Sequence, residues 1–482
     1  MNKDVREALN LSRRSFLMRA GAGLGALSVA QIMGLRPALG QQPPAGGGGI
    51  IRGGHFPAKA KRVIYLHMLG AFSQCDTFDY KPMLEKMHGQ DIPPSVRGNE
   101  RLSTMVQGQT SFPLVKPVGK FAQYGQTGTW VSDLLPYTAK LVDDLCIVKT
   151  MNTEHVNHDP ASKFLHTGFQ IAGRPSEGAW VSYALGSDND SLPTFVVMSS
   201  GYAGGVPNDA SGWGSGFLPS HFQGVEFRSG KEPVPYVSNP DGVDLEDHRM
   251  ELDAIGKLAK SQYEISHDPD ILSRVSQYEM AYRMQSSIPE VADFSKEPQS
   301  ILDLYGPDVQ KPGTFAHNCL LARRLAENNV KFITLFDMGW DAHSQIVTRL
   351  PGNCKGVDQG TAALLTDLKQ RGMLRDTLVV FATEFGRTSF AQGTLTTGYG
   401  RDHHGGNFTM WMAGAGVKAG YTHGETDDFS YNIVKDRVHI HDFQATLLYL
   451  LGLDHERLTY RYSGRDFRLT DVAGKVVREI LA

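Results

Sequence analysis

The sequence predicts an α/β protein, a doubly wound and mostly parallel sheet flanked by helices, and three observations carry that prediction. A run of β-forming residues, RVIYLHM at 62–68, stops at Gly70 as a buried parallel strand does. Late in the chain two helix-to-strand units follow one another, at 315–336 and 357–382, and successive crossovers of that kind build parallel sheets. Polar side chains gather just after the strands of both units. In such sheets ligands bind at the carboxyl ends of the strands.

The chain has 482 residues, 41% hydrophobic and 21% charged, enough to bury a substantial core. Its formal net charge of −3 is spread over both signs, which argues against a polyanion binder, so no nucleic-acid partner is expected. Four cysteines, Cys75, Cys146, Cys319 and Cys354, stand far apart without a C-x-x-C pair. That spacing indicates neither a thiolate zinc knuckle nor a dense disulfide scaffold, while leaving room for one or two disulfides. With no cysteine or haem motif, a redox enzyme ranks last.

From the N-terminus, Ser12-Arg13-Arg14-Ser15-Phe16-Leu17 precedes a Gly/Ala-rich apolar run at 20–35 and the small-x-small site Ala38-Leu39-Gly40. This pattern reads as a twin-arginine export signal over 1–40, cleaved near Gln41. The run is too short and glycine-rich for a bilayer span of about 20 apolar residues. No stable membrane span is therefore expected after cleavage, and the expected location is the periplasm, the cell surface or the medium. This route exports folded proteins, which suits a metalloprotein loaded beforehand. Gly21-x-Gly23-x-Gly25 is no dinucleotide loop, because no strand precedes it. Residues 41–60 read as a flexible linker, richest in Pro and Gly over 41–55, and 61–482 as a single domain.

Beyond the first strand, apolar runs at 145–149, 192–198, 330–336 and 377–382 continue an α/β rhythm. The helix at 315–329 carries Leu320, Leu321, Leu325 and Ala326 on one side, and that at 357–371 carries Ala362, Leu364, Leu365 and Leu368 before Gly372. A strand at 408–413 is followed by Gly414-Ala-Gly416, which reads as a hairpin or loop rather than a nucleotide fingerprint. Asp442 reads as the start of a scaffold helix over 443–451 that Gly452 ends. His439 and His441 flank that start and read as surface residues. Trp213 and the Gly-rich 201–216 segment suit a substrate loop.

The chemistry is concentrated in three segments. Asp341 and His343 follow one strand, Glu384 and Arg387 follow the next, and Asp402, His403 and His404 stand shortly downstream. Carboxylates and imidazoles are the ligands that hard and borderline divalent metals prefer, and Arg387 suits bidentate pairing with an anion. Any one cluster alone reads more simply as helix caps, ion pairs and loop histidines. Three clusters at one end of one sheet point to a site.

The segments "MLGAFSQCDTFDYKP", "GWDAHSQ", "TEFGRTS" and "GRDHHGG", with "GRPSEGAWVSYALGS", "LPTFVVMSSG" and "GFLPSHFQGV" between them, resemble the secreted bacterial domain-of-unknown-function 1501 family. That family belongs to the sulfatase-like branch of the alkaline-phosphatase superfamily, and the resemblance runs from about Arg62 to Leu453. It implies a doubly wound α/β sandwich, one or two divalent ions (Zn, Ca, Mg or Mn), and hydrolysis of phosphate or sulfate esters. The implied substrate is a small anionic ester or a sulfated or phosphorylated glycan.

Carried over by residue, Asp341 and His343 resemble an Asp/His metal pair, Glu384 stands where the two-metal members have Asp-His, and His403 or His404 matches their last histidine. Asp76 or Asp79 would replace the ligands expected directly after the first strand. Phe385 stands in place of one expected histidine. Residues 158–168 are similar to the sulfatase nucleophile motif C-x-P-S-R-x-x-L-x-T-G, with Pro160, Leu165, Thr167 and Gly168 matching and His158 at the nucleophile position. A formylglycine mechanism is thereby excluded. His158 is left to attack, to act as a base or to bind metal, beside His155, Asn157 and His166, and Ser73 is a second candidate nucleophile. The expected function is an exported metal-dependent ester hydrolase. The alternative is a catalytically inactive sulfatase-like module that binds an anionic glycan or a partner protein.

Overall fold

The computed structural model describes residues 49–482 except 52, 99–101, 202–205, 207–209, 229–233, 235–238, 240–241 and 396–397. The export signal, residues 41–48 and 52 of the linker and part of the 201–216 segment therefore lie outside the described residues. The described residues outside Arg461–Asp466 fall in one compact unit, which carries the sheet and the site.

A nine-stranded sheet forms the centre. Its strands in chain order are β1 (Arg62–Leu69), β2 (Leu145–Asn152), β3 (Phe195–Gly201), β4 (Val225–Phe227), β5 (Phe332–Met338) and β6 (Thr377–Ala382). A separate antiparallel pair follows, β7 (Gly386–Gln392) with β8 (Gly400–His404). The sheet is completed by β9 (Phe408–Ala413), β10 (Tyr421–His423) and β11 (Val438–His439). The spatial order is β10-β2-β9-β6-β1-β5-β3-β4, with β11 also on β2. All of its pairings are parallel except those of β9, which runs antiparallel to β2 and β6.

β1 lies between β5 and β6 and is buried along its whole length. Its side chains alternate between the two faces, as the pleat requires. Ile64, Leu66 and Met68 pack with helices α5 (Phe315–Glu327) and α6 (Ile346–Gln370). Val63, Tyr65 and Leu69 pack with α1 (His158–Thr167), α2 (Glu177–Leu185) and α7 (Ile440–Leu450). Two apolar cores on opposite faces make the sheet doubly wound. The remaining long helices, α3 (Leu245–Ser266) and α4 (Pro269–Ala292), pack against each other. Among the described residues no helix is long and apolar enough to cross a membrane.

Several boundaries differ from the sequence reading. α6 begins at Ile346, before the expected residue 357, and accommodates Pro351 in its second turn. β3 starts at Phe195 rather than 192, since Pro193 has no N–H for a ladder. The N-cap of α7 is His439, not Asp442. The Asp442 carboxylate instead accepts the His439 N–H at 3.1 Å as the far half of a capping box. β7 and β8 are strands that the polar pattern does not announce. Cys75, Cys146, Cys319 and Cys354 are all buried and free, so the room left for disulfides is not used.

Candidate metal centre

The strands bring four polar segments to one rim. Asp341 and His343 follow β5, Glu384 follows β6, His403 lies in β8, and His158 is the first residue of α1. α1 is delimited by extended Asn157 before it and by left-handed Gly168 after it, whose N–H returns to the Phe164 carbonyl at 2.9 Å. Gly70, after β1, has φ +117°, and a Cβ there would lie 2.6 Å from the Asp341 nitrogen. Only glycine lets the β1 exit pass this close to the Asp341 segment.

One carboxylate oxygen is the meeting point. Asp341 Oδ1 lies 3.2 Å from His158 Nε2, 2.9 Å from His343 Nε2, 3.3 Å from His403 Nε2 and 2.6 Å from Arg387 Nη2. His158, Asp341, His343 and His403 offer ligand atoms all within 4.8 Å of one another, a group that could hold a metal ion.

The far side of each ring decides what the near side presents. His158 Nδ1 is 2.6 Å from Glu384 Oε1, His403 Nδ1 is 2.7 Å from the Val156 carbonyl, and His343 Nδ1 meets the Gln392 amide oxygen. All three partners are acceptors, so each Nδ1 carries the proton, and a ring with no second proton turns an Nε2 lone pair toward Asp341. This is how proteins orient metal-ligating histidines. Lone pairs and a carboxylate facing one another repel unless a proton or a cation stands among them. Among the described residues the buried His158 Nε2 makes no hydrogen bond of good geometry despite its closeness to Asp341. The donor set therefore fits a divalent ion.

Burial works against ionising Asp341, but hydrogen bonds from the imidazoles wherever Nε2 is protonated, together with the Arg387 charge, outweigh it and hold its pKa far below the usual carboxylate range. Burial likewise opposes the charge on Glu384, and His158 and His67 override it in the same direction. Burial is the largest influence on His158 too, yet Asp341 and Glu384 raise its pKa above the ordinary value. In His403 burial prevails and lowers the pKa to about 4. The group opens outward on one side, where the Asp341 and His343 side chains are 21% and 20% exposed.

Among the other residues singled out in the sequence, Arg387 is fully buried and committed to protein partners. It donates to the carbonyls of Gly70, Ala71 and Arg401 as well as to Asp341, leaving no free fork for an anion. Glu384 stands one hydrogen bond behind the group, also accepting from the Gly70 N–H at 2.9 Å. Asp76 is not brought there: it pairs with buried Arg401 at 2.8 and 2.9 Å and accepts the Ser73 hydroxyl at 2.6 Å. Asp79 accepts from Thr426 and Ser430. Asp402 accepts from Ser103 at 2.7 and 2.8 Å, and His404 Nε2 meets the Tyr431 carbonyl at 2.7 Å.

The separation of His403 from His404 follows from the strand, in which successive side chains point to opposite faces, while Asp402 sits at an irregularity of register between Arg401 and His403. His441 bonds the Gly168 carbonyl and is buried rather than at the surface, and His439 pairs with Glu154. Trp213 packs against Phe336.

Sequence reasoning overlooked His67, whose Nε2 is 3.0 Å from Glu384 Oε2, and Gln392. A signal existed for His67: it is the one polar residue inside VIYLHML, and a buried imidazole needs partners. Nothing in the local pattern marks Gln392.

The family described as "Protein of unknown function (DUF1501)" matches residues 60–481. No curated protein matches the chain. Among solved structures, the chain is similar to the PsFucS1 sulfatase from Pseudoalteromonas sp., at 13% identity and a TM-score of 0.33 over 82% of this chain and 68% of that one. It is also similar to a protein in the alkaline phosphatase superfamily from Vibrio parahaemolyticus, at 12% identity and a TM-score of 0.32 over 83% and 69%. A third is the lipoteichoic acid synthase LtaP from Listeria monocytogenes, at 11% identity and a TM-score of 0.31 over 89% and 78%.

Proposed function

The chain belongs to the DUF1501 family, and from that premise we propose that it is an exported hydrolase of phosphate or sulfate esters working with one divalent ion. His158, Asp341, His343 and His403 would hold that ion. The observation that carries this reading is the convergence of three Nε2 lone pairs and Asp341 Oδ1, with every Nδ1 bonded to an acceptor. Three nitrogens and one oxygen suit zinc better than calcium or magnesium, which favour all-oxygen shells. A second ion is not needed beside Asp341, because the Arg387 guanidinium already sits 2.6 Å from its Oδ1 as a fixed positive charge.

A divalent ion there would supply Lewis-acid polarisation of an ester oxygen and acidify an attacking water. The protein's own residues divide the remaining work. Arg387 and the Gly70 segment hold Asp341, Glu384 orients His158, and Gln392 and the Val156 carbonyl orient His343 and His403. The attacking group is a solvent water entering beside Asp341 and His343. Ser73 is unsuited to that role, since its hydroxyl is buried and donated to Asp76, and His158 has its Nδ1 committed to Glu384.

Export rests on the Ser12-Arg13-Arg14-Ser15-Phe16-Leu17 motif, and a reporter fused behind residues 1–40 should lose export when both arginines become lysine. For the chemistry, the decisive experiment is metal analysis of the protein from Gln41 onward with a panel of aryl phosphates and aryl sulfates. About one ion per chain and turnover abolished by His343→Ala are expected. Protein that retains no metal and turns over nothing would sink the reading. The inactive glycan-binding module is favoured by one fact, that His158 occupies the nucleophile position of the sulfatase motif and its two ring nitrogens face Glu384 and Asp341. Binding of a sulfated glycan without turnover, by metal-loaded protein, would establish it instead.

A further inference from the structure

Behind the ligand group lies a closed circuit of buried side chains. His158 and His166 belong to the same helix, α1. His158 Nδ1 is 2.6 Å from Glu384 Oε1, His67 Nε2 is 3.0 Å from Glu384 Oε2, and His67 Nδ1 is 2.8 Å from His166 Nε2. The path runs from α1 through the residue after β6 to β1 and back to α1. His67 and Glu384 are fully buried and His166 is 2% exposed, so these groups must satisfy one another. Parallel pairing sets His67 opposite Ala382, which brings its ring to the exit of β6 where Glu384 stands.

We propose that His67 and His166 are positioning residues of the metal centre, which hold the Glu384 carboxylate and through it fix the ring orientation and tautomer of His158. This deepens the metal-site reading and rests on it. An ionised Glu384 only accepts, so His158 donates from Nδ1 and His67 from Nε2. The third bond has its direction set by tautomer, and in the proposed arrangement His166 donates from Nε2 to a lone pair at His67 Nδ1. Burial pushes the pKa of His166 well down, in keeping with a neutral ring.

Among the described residues, the only hydrogen bond of Glu384 Oε2 besides that of His67 is from the Thr383 hydroxyl at 3.4 Å. Without His67 the carboxylate would be pinned at Oε1 alone, by the Gly70 N–H and His158, and would hold less firmly the orientation that aims His158 Nε2 at Asp341. Neither His67 nor His166 belongs to the ligand group. Their effect is therefore transmitted entirely through Glu384 and α1.

The test measures cobalt and zinc affinity of the mature chain by chelator competition, together with the cobalt absorption spectrum. His67→Phe should weaken binding about 10- to 100-fold, the usual range for outer-shell partners, and shift the cobalt bands. His67→Gln keeps a donor toward Glu384 and should recover most of the affinity. A purely structural role would make both variants fail alike, in melting temperature rather than in the spectrum. If His67→Phe does not fold, His166→Phe replaces it, with a smaller loss expected.

The unmutated protein offers a further check in its histidine-selective nitrogen NMR spectrum. His67 and His166 should be protonated at Nε2, and His158 at Nδ1. Folded His67→Phe (or its replacement, His166→Phe) binding cobalt like wild type, or His67 protonated at Nδ1, overturns the proposal while leaving the metal site intact. Wild-type protein that takes up no cobalt overturns both.

Discussion

Glu384 Oε1 and His158 Nδ1 lie 2.6 Å apart, which places an ionised, fully buried carboxylate directly behind one ring of the ligand group. Such a carboxylate raises the basicity of the imidazole and locks its tautomer. Glu384→Gln should therefore raise the metal dissociation constant about 10- to 100-fold without unfolding the protein. Chelator competition on the folded variant measures this directly. Wild-type affinity would mean that the contact does not serve the ion.

Metal loading should appear as stability. An ion that binds only the folded chain at 100 times its dissociation constant adds about 2.7 kcal/mol, so zinc should raise the melting temperature and a chelator should lower it. His343→Ala, which removes one ligand at the exposed edge of the group, should melt at the same temperature with and without zinc. A zinc response that survived in this variant would place the ion elsewhere.

Gly70→Ala should damage the fold and the site together. Its φ of +117° strains any other residue, on the order of 1–3 kcal/mol, and the added Cβ would strike the Asp341 backbone at 2.6 Å. Denaturant unfolding should show at least that loss, and metal titration a weaker site. A variant with unchanged affinity would show that Asp341 tolerates a shift of its backbone.

Asp337 supplies a pH signature. Burial raises its pKa to about 6, against the opposing hydrogen bonds from Ser200 and Trp340. A carboxyl with a raised native pKa stabilises the fold fully below its unfolded value of about 3.9, and that contribution is lost as pH rises through about 6. The loss is on the order of 3 kcal/mol by pH 7. Asp337→Asn should lack this dependence, so the difference in urea unfolding free energy between wild type and variant should change by that amount from pH 4 to pH 7. A difference that stays flat would mean Asp337 ionises without penalty.

Ser73→Ala should leave turnover close to wild type, because the hydroxyl is buried and donated to Asp76. The cost should fall on stability, at about 1 kcal/mol for one hydrogen bond. Initial rates at saturating metal decide the matter. A fall well beyond about tenfold would restore Ser73 as a nucleophile.

Much of the fold was legible because it depends on local pattern. The run at 62–68 became β1, the fully buried strand between β5 and β6, and the helix-to-strand units at 315–336 and 357–382 became α5-β5 and α6-β6. Apolar periodicity reports burial wherever one face must be covered. It failed at β7 and β8, whose arginines and histidines are buried by partners far along the chain, such as Arg401 by Asp76 and Arg387 by Asp341. No local window contains that pairing.

The sequence by itself determined an α/β scaffold and the rim on which polar chemistry gathers, because element type and side-chain alternation follow from residues near one another. Only the tertiary structure decided which of those polar residues meet. It brings His158 across from α1 to Asp341, turns His403 inward while His404 turns toward Tyr431, and sets Glu384 behind His158 with His67 behind Glu384. The reason is geometric: a ligand group needs atoms a few ångströms apart, and that spacing is set by crossovers between distant strands rather than by adjacency in the chain.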